Sequence, residues 1–155
     1  MKKILNIIVI IIFTSACGFK VIKQPEIRNF YIAEIEVEGD KRINYIIKRN
    51  LLNSLKDKSK KPLKLILETK KIKDIKERNI KKEITKYQIT INVIVKYEGE
   101  NTKNIGQIEI SKIGEFNVNK QHSQTINNEK QSIEILTNSL QKEIILQLSV
   151  KLNDI

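Results

Sequence analysis

The sequence predicts an α+β domain, in which a four-stranded, mainly antiparallel sheet carries two helices on one face. Apolar and polar residues alternate in four segments, and apolar residues recur at helical spacing in two others. These segments follow in the order strand, helix, strand, strand, strand, helix (β-α-β-β-β-α). Both helices laid on one face of the sheet would bury every apolar surface. The predicted domain, residues 30–155, is large enough to need no disulfide or metal for stability.

The first strand and the first helix have clear apolar faces. The residues predicted to line the buried face of this strand are Tyr31, Ala33, Ile35 and Val37. Gly39 ends the strand, and the Asp40 carboxylate is predicted to cap the next helix by accepting backbone N–H groups. The apolar stripe of that helix consists of Ile43, Ile46, Ile47, Leu51 and Leu55.

The remaining elements are less regular. A second strand from Leu63 loses its alternation at residues 70–72, which predicts a bulge or an exposed extension. The third strand alternates most clearly, with an apolar face of Tyr87, Ile89, Ile91, Val93, Val95 and Tyr97. A fourth strand from Ile108 has a predicted bulge at Gly114, and a polar loop over residues 117–128 precedes the last helix. The stripe of that helix consists of Ile133, Leu136, Leu140, Ile144, Leu148 and Leu152.

Residues 1–16 have the features of a bacterial signal peptide. Two lysines precede an apolar run over residues 4–13, which is shorter than the ~20 residues that a membrane-spanning helix needs. Small residues follow, and then Cys17, the only cysteine. This arrangement resembles the lipobox of bacterial lipoproteins, which implies cleavage before Cys17 and acylation of its thiol, with palmitate among the expected acyl chains. The alternative is an ordinary signal peptide with a free thiol left nearby.

Residues 17–29 are predicted to be a lipidated tether between the anchor and the domain. Two or three acyl chains on Cys17 would hold the protein stably at a membrane, whereas one chain would bind only marginally. Gly18 follows the cysteine in place of the Asp that retains many lipoproteins at the inner membrane. The expected location is therefore the cell outer membrane, with the domain facing the periplasm.

The sequence contains no recognisable catalytic, cofactor or metal site. It has no phosphate-binding glycine loop, no nucleophile elbow and no set of Cys or His residues at metal-ligand spacing. His122, the only histidine, is predicted to be an exposed loop residue. We therefore expect a binding protein that is not an enzyme, with no cofactor, no metal and no catalytic residue.

One segment, residues 70–86, is unusually basic, and we call it the basic hairpin. Its eight cations are Lys70, Lys71, Lys73, Lys76, Arg78, Lys81, Lys82 and Lys86. Strands of about 50 Å would carry its turn beyond the helices as a finger that could dock on phosphate-bearing lipid. The alternative is a solvated hairpin whose lysines prevent aggregation of strand edges. A net charge of +11 would also suit nucleic acid, but an exported lipoprotein seldom meets it, so no nucleic-acid partner is predicted.

Several stretches together resemble the lipopolysaccharide-assembly lipoproteins, the LptE family. They are Cys17-Gly18-Phe19 after the signal, the order of elements, Ile84-Thr85-Lys86-Tyr87-Gln88-Ile89-Thr90-Ile91, and the polar loop before a terminal helix ending Ile144-Ile145-Leu146-Gln147-Leu148.

This resemblance implies a plug inside the outer-membrane β-barrel LptD. The plug would assist assembly of the barrel and insertion of lipopolysaccharide into the outer leaflet. A polar face bearing Lys86, Gln88, Thr90 and Asn92 would suit a barrel lumen. The alternative is a structural or pilot lipoprotein that escorts another outer-membrane complex, such as a secretin.

Overall fold

A computed structural model describes residues 30–99 and 105–153 of the chain. The predicted signal peptide, the tether and Cys17 lie outside the described residues. The elements are β1 (Phe30–Gly39), α1 (Lys41–Ser54), β2 (Lys61–Arg78), β3 (Ile84–Gly99), β4 (Ile105–Asn117) and α2 (His122–Asn153). Neither helix within these ranges is long and apolar enough to cross a membrane.

The four strands form one mixed sheet in the order β1-β2-β3-β4. β1 pairs with β2 in parallel, and α1 connects the two strands. The pairs β2·β3 and β3·β4 are antiparallel. Both helices pack on one face, which we call the inner face, and the opposite outer face is covered by neither helix. The predicted fold class is therefore confirmed.

The hydrophobic core lies between the inner face and the two helices. The β3 side chains Ile89, Ile91, Val93 and Val95 are fully buried, as are Leu65 and Leu67 of β2. The helices contribute the stripes that the sequence predicted, and their fully buried members are Ile43, Ile47, Leu51, Leu140, Ile144 and Leu148. Each large aliphatic side chain buried in this way contributes about 1.5–3 kcal/mol, so the core dominates the stability of the domain.

The predicted buried face of β1 is wrong in part. Phe30, Ile32 and Ile35 are buried, whereas Ala33 is exposed and Val37 is 43% exposed. The pairing with β2 shifts register between Ile32 and Glu34, so that Ala33 is an extra residue. Because a bulge adds one residue, it moves the side chains that follow to the opposite face. The alternation of β1 therefore changes phase at Ala33.

Of the irregularities predicted for β2 and β4, the exposed extension of β2 is confirmed. Every residue of 70–78 except Ile72 is exposed, whereas neither predicted bulge lies where the sequence placed it. The β2·β3 register is continuous through residues 70–72 and shifts between Ile75 and Arg78. The β3·β4 register is continuous at Gly114. A Cβ atom at Gly114 would lie 3.1 Å from the Leu136 side chain and 3.1 Å from the Ser132 hydroxyl oxygen. Gly114 therefore allows α2 to approach β4, and no bulge is present there.

The last helix begins earlier than the sequence predicts. Residues 122–128 belong to α2, and His122 is its exposed first residue, not part of a loop. The Thr125 hydroxyl accepts a hydrogen bond from the Asn119 N–H at 2.9 Å and lies 3.2 Å from the Asn119 carbonyl oxygen. This contact fixes the preceding loop against the first turn of α2. The sequence did not predict that turn as helical because its residues lack apolar side chains at helical spacing.

A buried polar cluster joins β1, α1 and β2. The Asp40 carboxylate accepts hydrogen bonds from the Arg42 and Ile43 N–H groups at 3.1 and 3.0 Å, which confirms the predicted cap. The Asp40 N–H donates to the Thr69 hydroxyl at 3.1 Å, and this hydroxyl donates to the Asn44 side-chain carbonyl at 2.8 Å. The Asn44 amide in turn donates to the Glu38 carbonyl at 3.0 Å. Every polar side chain of the cluster therefore has a partner.

Gly39 allows the backbone to make this cluster. Its φ is +98°, and a Cβ atom there would lie 1.9 Å from the Thr69 carbonyl oxygen. We therefore expect Gly39→Ala to lower the free energy of unfolding by more than about 2 kcal/mol, measured by urea denaturation and circular dichroism. Glu38→Ala, at the neighbouring exposed position, should change it by less than about 0.5 kcal/mol. Equal losses in the two variants would contradict this role of Gly39.

Candidate functional site

Part of the basic hairpin lies beside β4, and part of it extends past the end of β4. The last β4 residue, Asn117, pairs with Lys86, so only two strands continue beyond this point. The β2 partner of Lys86 is Glu77, so residues 78–85 lie beyond the end of β4, and we call them the tip. α2 has 32 residues, or about 48 Å at 1.5 Å per residue, and therefore extends along much of the sheet. The predicted strand length of about 50 Å is met, because β2 has 18 residues, or about 59 Å, but only the tip extends beyond the end of β4.

Lys71 and Lys73 lie on the inner face and are paired with carboxylates. The Lys73 ammonium is 2.6 Å from the Glu129 carboxylate of α2, and Lys71 lies 4.0 Å from Glu129 and 3.9 Å from Asp40. Lys73 also sits over the stacked rings of Tyr87 and Phe116, at 4.4 and 5.0 Å from their centroids. These cation–π contacts and ion pairs hold Lys73 within the body of the domain.

Lys76 and Lys86 belong to a charge network at the base of the tip. Lys76 lies 3.4 Å from the Glu115 carboxylate. Lys86 lies 3.3 Å from Glu77 and 3.8 Å from Glu115. Two lysines and two glutamates therefore compensate one another, and this part of the predicted site carries little net charge.

Arg78, Lys81 and Lys82 lie together in the turn and contact no carboxylate of the described residues. The Arg78 guanidinium donates a hydrogen bond to the Lys82 carbonyl at 2.8 Å, so its charge is not neutralised. Lys70 also lacks a carboxylate partner within the described ranges. It lies far from the turn, since its β3 neighbour in the strand register is Asn92, in the middle of the sheet. The structure thus brings three of the eight predicted cations together at the tip and separates Lys70, Lys71 and Lys73 from them.

Asn79 organises the turn between β2 and β3. Its side-chain carbonyl accepts hydrogen bonds from the N–H groups of Lys81 and Glu83, at 2.9 and 3.0 Å. Its amide donates to the Glu83 carboxylate at 2.8 Å. Two backbone bonds of 2.9 Å, Asn79 N–H to Glu83 carbonyl and Lys82 N–H to Asn79 carbonyl, close the turn. Lys82 has a φ of 63°, in the left-handed region.

Ile80, the fully exposed residue within this turn, is not among the predicted site residues. Alternation cannot identify such a residue, because it depends on regular strand geometry and Ile80 lies between the strands. A signal was nevertheless available in the sequence, since Ile80 is isolated among polar and charged residues, with no apolar residue within three positions on either side.

The outer face of the sheet is mixed near its middle, where Ile72, Ile94 and Ile113 lie among polar and charged side chains. Lys86, Gln88, Thr90 and Asn92 lie on it, as the predicted polar face requires, and the Ser111 hydroxyl donates to the Asn92 side chain at 2.7 Å. Lys64 lies between the carboxylates of Glu36 and Glu34, at 2.7 and 3.4 Å. Hydrogen bonds to Glu36 and then Glu34 raise the pKa of Lys64 above its ordinary value. Within residues 30–99 and 105–153, no three acidic, His or Cys side chains are grouped as metal ligands.

Solved structures share this fold. A candidate lipoprotein from Caulobacter crescentus CB15 matches with a TM-score of 0.58 and 15% identity, over 77% of this chain and 90% of that chain. An uncharacterized lipoprotein B from Nitrosomonas europaea matches with a TM-score of 0.50 and 13% identity, over 77% and 83%. Rare lipoprotein B from Shewanella oneidensis gives a TM-score of 0.47 at 11% identity, over 78% and 94%. No family model and no curated protein sequence matches this chain.

The pairing of Lys73 with Glu129 predicts a measurable effect on stability. Glu129→Gln should lower the free energy of unfolding by about 1 kcal/mol at low salt, because the variant leaves Lys71 and Lys73 without this counter-charge. The loss should shrink in 0.5 M salt, where charge interactions are screened. Glu36→Gln is the matched control, because Glu36 is more exposed and Lys64 keeps Glu34. A loss in Glu129→Gln no larger than in the control would contradict the structural role of Lys73.

Proposed function

We propose that this protein is an outer-membrane lipoprotein, anchored through acylated Cys17, that acts with an LptD-like β-barrel. In this role the domain plugs the barrel, assists its assembly and helps to insert lipopolysaccharide into the outer leaflet. The role is one of binding and positioning, and we propose no enzymatic activity, cofactor or metal.

The single observation that carries this proposal is the fold shared with proteins described as lipoproteins. The Caulobacter protein matches over most of both chains. Independently of that match, this sequence begins with a signal-like segment followed by its only cysteine. Two unrelated features, the folded domain and the N-terminal segment, therefore favour the same class of protein.

The charge distribution of the hairpin supports lipopolysaccharide as the ligand. Lipid phosphates require cations that are free to bind them, and Arg78, Lys81 and Lys82 are free of carboxylates among the described residues. Because Lys71, Lys73, Lys76 and Lys86 are already paired, the proposed contact with phosphate is confined to the tip. The polar β3 side chains of the outer face, Lys86, Gln88, Thr90 and Asn92, would suit a position in a barrel lumen, which is itself polar.

Co-purification tests the barrel partner. The chain, extracted from membranes with mild detergent, should bring an LptD-like barrel with it, and depletion of the chain should leave that barrel misassembled and lipopolysaccharide in the periplasm. Cys17→Ser should prevent both acylation and cleavage before residue 17, giving a longer chain without acyl chains by mass spectrometry. Recovery of a secretin in place of the barrel, or normal surface lipopolysaccharide after depletion, would contradict the proposal.

Charge reversal tests the contact with lipopolysaccharide. We expect Lys81→Glu/Lys82→Glu to weaken lipopolysaccharide binding about tenfold or more at low salt, with a smaller difference at high salt, because two free cations become anions. The matched control is Lys56→Glu/Lys58→Glu, which makes the same charge change in the exposed loop before β2, at the other end of that strand. Equal weakening in both variants would assign the effect to overall charge and not to the tip.

A further inference from the structure

Ile80 is the most exposed large apolar side chain among the described residues, with a relative exposure of 103%. An isolated apolar side chain on a protein surface is ordinary. This one differs because it lies in the turn of a two-stranded extension, beyond the end of β4, where none of the six described elements covers it.

The turn holds Ile80 in this exposed position. The Asn79 side chain accepts hydrogen bonds from the Lys81 and Glu83 N–H groups on the far side of Ile80, and two backbone bonds close the same segment. These four bonds fix the backbone on both sides of Ile80. The side chain cannot collapse onto the sheet without breaking them, so its exposure is imposed by the fold.

Uncompensated cations surround this apolar side chain. Lys81 and Lys82 follow Ile80 in the chain, and Arg78 is tied to the Lys82 carbonyl at 2.8 Å. Glu77 is paired with Lys86 at 3.3 Å, whereas Glu83, which accepts only from the neutral Asn79 amide at 2.8 Å, keeps its charge. Three cations against this one carboxylate leave the turn with a net charge of +2. The turn therefore presents one hydrocarbon group at its apex and positive charge around it.

We propose that the tip inserts into an anionic lipid bilayer, with Ile80 among the acyl chains. Arg78, Lys81 and Lys82 would then lie at the level of the lipid phosphates. An apolar group flanked by basic groups matches the change from hydrocarbon to anionic headgroup over a few ångströms. This inference adds insertion of the apex to the phosphate contact proposed above, and it does not rest on the barrel partner.

The absence of tryptophan from the sequence allows a position-specific experiment. Ile80→Trp gives a single tryptophan at the apex. Ile135→Trp gives a matched single tryptophan on the exposed side of α2, where Ile135 is 69% exposed. Both substitutions are made in the chain from residue 17 with Cys17→Ser, so that neither the apolar run over residues 4–13 nor acyl chains on the cysteine provide the membrane contact.

The readout is tryptophan emission with vesicles of phosphatidylglycerol and phosphatidylcholine, compared with vesicles of phosphatidylcholine alone. We expect the emission of Ile80→Trp to shift to the blue only with the anionic vesicles, and lipids with brominated acyl chains to quench it. The emission of Ile135→Trp should stay at its value in buffer. Adding Lys81→Glu/Lys82→Glu to Ile80→Trp should abolish the shift while circular dichroism remains unchanged.

Solvent-like emission of Ile80→Trp with anionic vesicles would overturn the proposal, as would an equal shift in Ile135→Trp. A shift that requires a co-purified membrane protein would also overturn it, because the apex would then contact protein. The barrel partnership is tested by co-purification, so either proposal can fail while the other stands.

Discussion

The inner face of β2 carries leucines before Thr69 and lysines after it. The arrangement of the domain depends on the contacts that satisfy Thr69 and these lysines. Leu63, Leu65 and Leu67 contribute to the core, whereas the next inward positions after Thr69 are Lys71 and Lys73. Thr69 itself is satisfied by Asn44 and by the Asp40 N–H, which also fixes the start of α1. Beyond it, Glu129 and two aromatic rings accommodate the lysines. The sheet can therefore continue well past its apolar core without leaving a buried charge unpaired.

The cations of this lysine-rich chain differ in whether a carboxylate lies beside them. Most lysines of the basic hairpin are matched by glutamates on β2, β4 or α2, and these pairs hold the strands together near their ends. Those left without carboxylate partners among the described residues gather chiefly in the turn. A surface ion pair contributes little to stability, yet the set of pairs determines where positive potential remains available to a ligand.

Local periodicity was sufficient to predict the order of the elements, the stripe of α1 and its Asp40 cap, because each depends on residues close together in sequence. Other features depend on partners distant in the chain. The phase change in β1 results from its pairing with β2, and Gly114 is explained by α2 packing across it. Lys73 and Glu129 are 56 residues apart, so the sequence could reveal eight cations in one segment but not which of them are neutralised.

The chain enters the domain at Phe30, which pairs with Lys61 at the first residue of β2, and the turn that carries Ile80 follows the last residue of the same strand. At about 3.3 Å per residue, the 18 residues of β2 separate these two ends by about 59 Å. A bilayer with its headgroups is about 40–45 Å thick. A molecule whose Phe30 end rests against one surface of a membrane is thus long enough, if it stands upright in a channel, to present its opposite end at the other surface.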